Sequence, residues 1–148
     1  MSKRSPRPQG MSWLSPYLIV QDPGKTIAFY QKAFGFEKKE AMTGADGKVM
    51  HAEMVWKDVV IMMGPEGGPG QPCRSPATSG VAPAVQLYLY CDDVDALHKR
   101  AVAAGAASKQ APQEMFWGDR ICSLADPDGH VWNFATNVSD FDPGRLPQ

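Results

Sequence analysis

Two stretches of the chain, YLIVQDPGKTIAFYQKAFGFE at residues 17–37 and LYLYCDDVDALHKRAVAAGAA at residues 87–107, share one pattern at an offset of 70 residues. Each begins as an apolar strand, passes through an aspartate into an amphipathic helix and ends near a glycine. At this offset Asp22 aligns with Asp92. An aspartate at this point caps a helix by accepting hydrogen bonds from its first N–H groups. The chain therefore contains an internal repeat.

The helix of each copy is predicted from apolar side chains that recur at helical spacing. Gly35 and Gly105 follow the two helices and are expected to end them in the left-handed conformation. The apolar stripe comprises Ile27, Tyr30 and Phe34 in the first copy, and Val94, Leu97, Ala101 and Val102 in the second.

The rest of each copy is rich in strand-forming residues separated by turn sequences such as ADG and DPDG. Each copy is thus a β-α-β-β-β module, and the fold class is α+β, with two tandem modules that form a cleft between curved mixed sheets. The predicted strands here are Val49–Trp56 and Val59–Met63 in the first copy, and Arg120–Leu124 and His130–Thr136 in the second.

Composition shifts along the chain predict its domain boundaries. The basic, proline-rich start and the segment GPEGGPGQPCRSPATSG between the copies have the composition of unpacked chain. The predicted divisions are a disordered tail at 1–11, the first module at 12–66, a Gly/Pro-rich linker at 67–82, the second module at 83–138 and a C-terminal tail at 139–148.

Charge and cysteine content restrict the class of protein. The 148 residues carry a net charge of −1 and no long basic run, so a nucleic-acid partner is not expected. No apolar run reaches the roughly 18 residues that a membrane span needs, and no secretory signal is expected at the start. Cys73, Cys91 and Cys122 are odd in number and lack CxxC spacing, which favours a reducing, cytoplasmic location.

The motifs of the repeat resemble those of the vicinal oxygen chelate superfamily, which includes glyoxalase I, extradiol dioxygenases and bleomycin-resistance proteins. The resemblance covers about residues 12–138 and rests on the segment Asp22–Gly35 and the turn DPDGH at Asp126–His130. More narrowly, GKVMHAEM at Gly47–Met54, MFWGDR at Met115–Arg120 and DPDGHVW resemble the PhnB-like branch.

The resemblance implies a cleft at which metal-dependent members place four ligands, usually His or Glu, and it also implies a homodimer. In this chain those four places hold Ser15, Met62, Gln86 and Asn133. None of these side chains is an anion, and a thioether is a soft ligand. We therefore expect no cofactor at the usual metal site. A divalent metal held by other residues stays open as an alternative.

His51 and Glu53 are the candidate catalytic residues. They alternate on one predicted strand, so both side chains leave the same face of its sheet. A histidine beside a carboxylate can act as a general base, and the two can also serve as metal ligands. A hydrogen-bonded polar pair on a strand face is the alternative interpretation.

The remaining candidate residues are ligand-binding side chains. Most are chosen by alternation along the strands, whereas Trp117 and Arg120 lie at a predicted hairpin that could close over the cleft. Aligned at an offset of 71, Met62 corresponds to Asn133 and His51 to Cys122, which places Cys122 on the cleft side. Arg120 is a candidate for holding an anionic group. The full ligand-binding set is Tyr17, Met62, Gln86, Tyr88, Trp117, Arg120, Cys122 and Asn133.

Three functions remain open from the sequence. The favoured one is binding of a small organic ligand in an aromatic cleft, in the manner of a bleomycin-resistance protein. The alternative is a lyase, isomerase or dioxygenase that uses His51 and Glu53, with or without a divalent metal. The third is a dimer whose cleft is filled by its own side chains.

Overall fold

The computed structural model describes residues 3–147, and they form two four-stranded mixed sheets with three α-helices. The chain divides into two compact units. The first runs to Gln31 and resumes over Gly35–Arg74, and the second joins Lys32–Phe34 to the chain from Ser75 onward. Each unit contains one sheet. The α+β fold of tandem β-α-β-β-β modules is confirmed.

The sheet of the first unit has the strand order β1-β4-β3-β2. β1 pairs with β4 in parallel, and the other neighbours are antiparallel. Alternate residues along its strands, such as Met54 and Met63, form one apolar and buried face of this sheet. The elements are β1 (Tyr17–Val20), α1 (Pro23–Phe34), β2 (Glu37–Thr43), β3 (Val49–Trp56) and β4 (Val59–Pro65).

The sheet of the second unit has the equivalent order β5-β8-β7-β6, again with its first pair parallel. The helix α3 packs on β6, β7 and β8. Trp132 and Phe134 are fully buried. The elements are α2 (Pro76–Ser79), β5 (Leu87–Tyr90), α3 (Val94–Ala103), β6 (Ala107–Glu114), β7 (Asp119–Ala125), β8 (Val131–Asn137) and a short 3₁₀ turn at Pro143–Arg145.

The two long helices begin where an aspartate caps them, with one correction to the predicted alignment. The Asp22 side chain accepts hydrogen bonds from two N–H groups of the first turn of α1. In the second copy the capping residue is Asp93 and not Asp92. The offset between the caps is therefore 71 residues. The prediction that Val102 belongs to the apolar stripe is also wrong, because this side chain is 42% exposed and lies outside the buried stripe of α3.

The registers of the two modules differ by one residue. Met63 and Phe134 are equivalent at an offset of 71, but their neighbours across the antiparallel ladder, Ala52 and Cys122, are equivalent at an offset of 70. The extra residue lies in the connection between β7 and β8, which is longer than the two-residue turn between β3 and β4. Because side chains alternate between faces, a one-residue slip reverses the face of every side chain on the strand.

The second half of the predicted linker is packed rather than open. Ser75 is buried and caps α2 by accepting a hydrogen bond from the Thr78 N–H. The Ala77 N–H donates to the Asp128 carbonyl at 2.9 Å, which ties α2 to the turn between β7 and β8. Gly129 in that turn has a φ of +85°, and a Cβ on it would lie 3.0 Å from the Ala77 nitrogen. Only glycine therefore suits this position.

Candidate functional site

An aromatic surface on the second sheet is the first candidate site. We define the aromatic ledge as Tyr88, Tyr90 and Trp117. Tyr88 and Tyr90 alternate along β5 on one face of the sheet, and their rings lie 5.6 Å apart, edge to face. These two side chains are 43% and 56% exposed. The ledge therefore presents aromatic carbon to the outside of its own unit.

A buried carboxylate holds the ledge in place. Asp119 is 2% exposed. Its Oδ2 accepts hydrogen bonds from the Tyr88 and Tyr90 hydroxyls at 2.7 and 2.9 Å. The same oxygen accepts one from the Trp117 indole at 3.2 Å, and Oδ1 accepts one from Asn137 Nδ2 at 3.0 Å. Four donors thus converge on one anion, which fixes all three rings of the ledge by their polar edges.

These contacts change the acid–base properties of the cluster. Burial disfavours the charged form of Asp119, but the hydrogen bonds from Asn137, Tyr88, Tyr90 and Trp117 outweigh it and lower the pKa of this carboxyl group. Burial and the hydrogen bond to Asp119 raise the pKa of Tyr88 to about 12. At neutral pH the cluster is therefore one carboxylate with two neutral phenols.

The first unit carries a chain of polar side chains that includes both candidate catalytic residues. The Tyr17 hydroxyl lies 3.2 Å from His51 Nδ1, and His51 Nε2 lies 3.5 Å from Glu53 Oε1. Lys39 Nζ forms an ion pair with Glu53 Oε2 at 2.8 Å. The structure thus joins His51 to Glu53 in the order expected for a base and the group that orients it.

The environment of Glu53 keeps it ionised. It is 8% exposed. The hydrogen bond from Lys39 is the largest influence and lowers the pKa of Glu53, burial opposes it, and His51 adds a smaller lowering. The end of the Tyr17 ring lies over Gly64, where a Cβ would come within 2.6 Å of the phenol oxygen. The absence of a side chain there lets the Tyr17 ring reach His51.

The four places that hold metal ligands in related enzymes carry a different chemistry here. Gln86 Oε1 accepts a hydrogen bond from Asn133 Nδ2 at 3.0 Å, so its one strong metal-binding atom already has a partner. Ser15 and Met62 offer a hydroxyl and a thioether. Neither pair contains an anion, which does not fit a hard divalent cation. Nor do residues 3–147 contain a group of three or more His, Cys, Asp and Glu side chains suited to holding a metal ion.

Two predicted ligand-binding residues lie on the opposite face from the one expected. Cys122 is fully buried and neighbours Phe134 across the ladder, on the face that carries the apolar core. Arg120 lies on this face too, and its guanidinium forms a two-bond ion pair with Asp95 of α3 at 2.7 and 2.8 Å. The predicted face of Cys122 was wrong because the offset of 71 does not apply to β7, and Arg120, predicted at a hairpin over the cleft, is instead held by Asp95.

The alternation of side chains was predicted correctly elsewhere. Tyr17 and Met62 are neighbours across the first sheet, as Tyr88 and Asn133 are across the second. Asp119, which organises the ledge, was missed. The signal available was its position in WGDR, at the start of a strand, where a charged residue among aromatic ones needs partners.

The first sheet also borders a pocket of about 710 Å³. It is lined by Glu53 and Met62 together with the segment that precedes β1. This segment includes part of the predicted tail, and only Ser15 of it was considered for a site from the sequence. The longest helix in the described part of the chain, α1, has 12 residues, and none there has the length and apolar character that a membrane crossing requires.

Comparisons with known proteins agree with this architecture. The uncharacterized protein Rv0887c of Mycobacterium tuberculosis H37Rv is 36% identical over 129 residues, which cover 86% of this chain and 75% of that protein. The crystal structure of TioX from Micromonospora sp. ML1 is 27% identical with a TM-score of 0.70, and the match covers 86% of this chain and 99% of that one.

A second solved structure is TnmS3, an antibiotic binding protein from Streptomyces sp. CB03234, which is 25% identical with a TM-score of 0.63. That match covers 86% of this chain and 97% of that one. The family model for the Glyoxalase/Bleomycin resistance protein/Dioxygenase superfamily matches residues 11–134. The repeated modules, their strand order and this match together show that the chain belongs to the glyoxalase/bleomycin resistance protein/dioxygenase superfamily.

Proposed function

We propose that this protein binds a small organic molecule with a flat aromatic ring system, and that the aromatic ledge is its principal contact. The observation that carries the proposal is the hydrogen bonding of Asp119 to Tyr88, Tyr90 and Trp117. Side chains that are both rigid and exposed lose little conformational entropy when a ligand covers them. Each stacked pair of rings adds about 0.5–1.5 kcal/mol beyond the area it buries.

Family membership and the antibiotic binding protein among the similar structures support a binding role. We further propose that Tyr17, Met62, Gln86 and Asn133 contribute to ligand contacts, and that binding needs no metal at the usual four places. Assignment to the PhnB-like branch, a homodimeric state and a cytoplasmic location are part of the same proposal. We propose neither a nucleic-acid nor a membrane partner.

The test is a titration of the protein with naphthalene, quinoline and acridine derivatives, followed by isothermal calorimetry and thermal shift. We expect Trp117→Ala to weaken the tightest ligand at least tenfold, because it removes the largest ring of the ledge. Val102→Ala is the matched control, since Val102 is an exposed apolar residue on α3 in the same unit. It is expected to leave the affinity unchanged.

Two results would count against the proposal. One is a panel in which no compound raises the melting temperature. The other is a ligand that binds Trp117→Ala and Tyr88→Ala as tightly as it binds the unaltered protein, which would place its site away from the ledge.

We infer a second candidate function, a lyase, isomerase or dioxygenase, from the polar chain of the first unit. The proximity of Tyr17, His51 and Glu53 favours it. In such an enzyme His51 would take a proton from the substrate, Glu53 would orient the imidazole ring, and Lys39 would hold Glu53 in its ionised form. A divalent metal bound by His51 and Glu53 would be a variant of this function.

This candidate makes its own prediction about metal content and turnover. The protein is incubated with Mn, Fe, Co, Ni or Zn, and its metal content is measured by elemental analysis. The metal variant predicts near-stoichiometric metal that is lost in His51→Ala. The metal-free variant predicts isomerisation of a hemithioacetal, lowered at least tenfold in His51→Gln, whereas turnover of a catechol with O₂ belongs to the metal variant. Lys57→Gln, at an exposed position, is the control and should leave turnover unchanged. Full turnover in His51→Gln would exclude His51 as the base.

A further inference from the structure

A second candidate for ligand binding is the pocket of about 710 Å³ in the first unit. We call residues 6–15 the N-terminal arm, and they form one wall of this pocket. The arm is tied to β4 because the Val60 N–H donates to Ser12 Oγ at 2.8 Å. Just after the arm, the Met62 N–H donates to the Pro16 carbonyl at 3.0 Å. The volume lies within the range of small-molecule sites, about 300–1,000 Å³.

The apolar side of the pocket is aromatic. Trp13 and Leu14 of the arm are 78% and 86% exposed, although side chains of this size are usually covered. Met62 of β4 lies at the same pocket, and its polarizable sulfur suits contact with an aromatic ring. These three side chains provide an apolar surface for a flat ring.

Arg7 supplies a cation at the pocket that could hold an anion. The Arg7 guanidinium lies 4.5 Å from the centre of the Trp13 ring and donates one hydrogen bond to the Met11 carbonyl. Within residues 3–147 no carboxylate forms an ion pair with Arg7. Of the two acidic residues at the pocket, Glu53 is neutralised by Lys39, and Glu40 is exposed to solvent, which screens its charge. Of the two cations that line the pocket, Lys39 is therefore paired with Glu53, whereas Arg7 has no carboxylate partner among the described residues.

A buried hydroxyl at the same pocket lacks a hydrogen-bond partner. Ser15 Oγ is inaccessible to solvent and has no partner among the described residues. A buried polar group without a hydrogen bond costs about 1–3 kcal/mol. Ser15 as a whole is half-buried and lines the pocket, so a rotation of its side chain would let the hydroxyl donate to a ligand oxygen and remove this cost. Ser15 therefore points to a ligand with an acceptor group, independently of the charge on Arg7.

We propose that the pocket of the N-terminal arm binds an aromatic carboxylate. The ring lies against Trp13 and Met62, and the carboxylate accepts hydrogen bonds from Arg7 and Ser15. A planar guanidinium can bind a carboxylate through two parallel hydrogen bonds, which an ammonium group cannot do. Arg7, Trp13 and Ser15 take no part in the proposed function, whereas Met62 is shared with it.

Three ligands of one shape test this proposal on the full chain: 2-naphthoate, 2-naphthamide and 2-naphthylmethylamine, measured by isothermal calorimetry at pH 7. We expect 2-naphthoate to bind at least tenfold more tightly than the other two. Arg7→Gln is expected to abolish this preference, and Ser15→Ala to weaken 2-naphthoate several-fold. Arg4→Gln is the matched control, because Arg4 is an exposed arginine outside this pocket. Melting temperatures verify that every variant folds.

The outcomes separate this inference from the proposed function. The inference is overturned if the amine binds more tightly than the carboxylate, if the three ligands bind equally, or if the preference survives in Arg7→Gln. Loss of 2-naphthoate binding in Tyr88→Ala but not in Arg7→Gln would likewise overturn it while supporting the ledge. Loss in Arg7→Gln alone would support the arm pocket even if the ledge binds nothing.

Discussion

Replacing Trp132 with alanine is expected to lower the free energy of unfolding by about 3–5 kcal/mol. Trp132 is fully buried in the second unit. Its ring centre lies 5.4 Å from that of Phe34 and 6.0 Å from that of Phe134. Its indole Nε1 donates to Asp126 Oδ2 at 3.1 Å. The substitution therefore creates a cavity among aromatic rings and also leaves a buried carboxylate oxygen without this donor.

Urea denaturation followed by circular dichroism measures this loss of stability. Two further variants serve as comparisons. Trp132→Phe keeps most of the ring volume but removes the indole donor, so it should cost less than Trp132→Ala. Val102→Ala, at an exposed position of α3, should change stability by no more than about 0.5 kcal/mol. A loss below about 1 kcal/mol in Trp132→Ala would contradict the central position of this ring in the core.

The second large effect is expected at Asp119. We expect Asp119→Ala to cost about 3 kcal/mol of stability, because hydrogen bonds to a charged group contribute about 1.5–3 kcal/mol each and only some of the four donors can turn to water. The hydroxyls of Tyr88 and Tyr90 can turn to water because these side chains are partly exposed. Asn137 keeps its second hydrogen bond, to the Gly118 carbonyl at 3.3 Å. The rings of the ledge lose their common anchor, so ligand affinity should fall together with stability.

The pH dependence of stability separates the contribution of the Asp119 charge from that of its side-chain volume, which Asp119→Asn preserves. The pKa of Asp119 is lower in the folded protein than its ordinary value near 4. The carboxylate therefore contributes stability at pH values above about 4, and this contribution disappears as the pH falls through the lowered pKa. Chemical denaturation should accordingly show a gap between the unaltered protein and Asp119→Asn that is constant from pH 6 to 8 and shrinks below pH 4. A gap that widens on acidification would contradict this sign.

The sequence was sufficient to predict the fold because local signals and the internal repeat agree. The helix start at Asp22, the helix end at Gly35 and the strand Val49–Trp56 are all where the pattern places them. Each of these signals is a short-range one, set by capping, by backbone conformation or by alternation. The placement of Tyr17 and Met62 on one face also followed, because side chains alternate in the same way along neighbouring strands, and the structure pairs the two residues.

The parts of the site that were mispredicted depend on interactions between distant segments. The face of Cys122 depends on the length of the connection between β7 and β8, and one residue is enough to reverse it. The ion pair of Arg120 with Asp95 joins residues 25 positions apart, and the contacts of Asp119 with the tyrosines of β5 span about 30 positions. No local pattern encodes such pairings, since each needs the assembled sheet.

The structural equivalence of β3 and β7 shows where the two duplicated modules differ in chemistry. At the offset that relates β3 to β7, His51 and Glu53 correspond to Ile121 and Ser123, so the proton-carrying pair has no counterpart in the second copy. The anchor Asp119 in turn corresponds to Val49. The halves have thus specialised, one with ionisable chemistry and the other with a ring-bearing surface. Two copies that keep the same strand order have in this way come to carry different side-chain chemistry through substitutions alone.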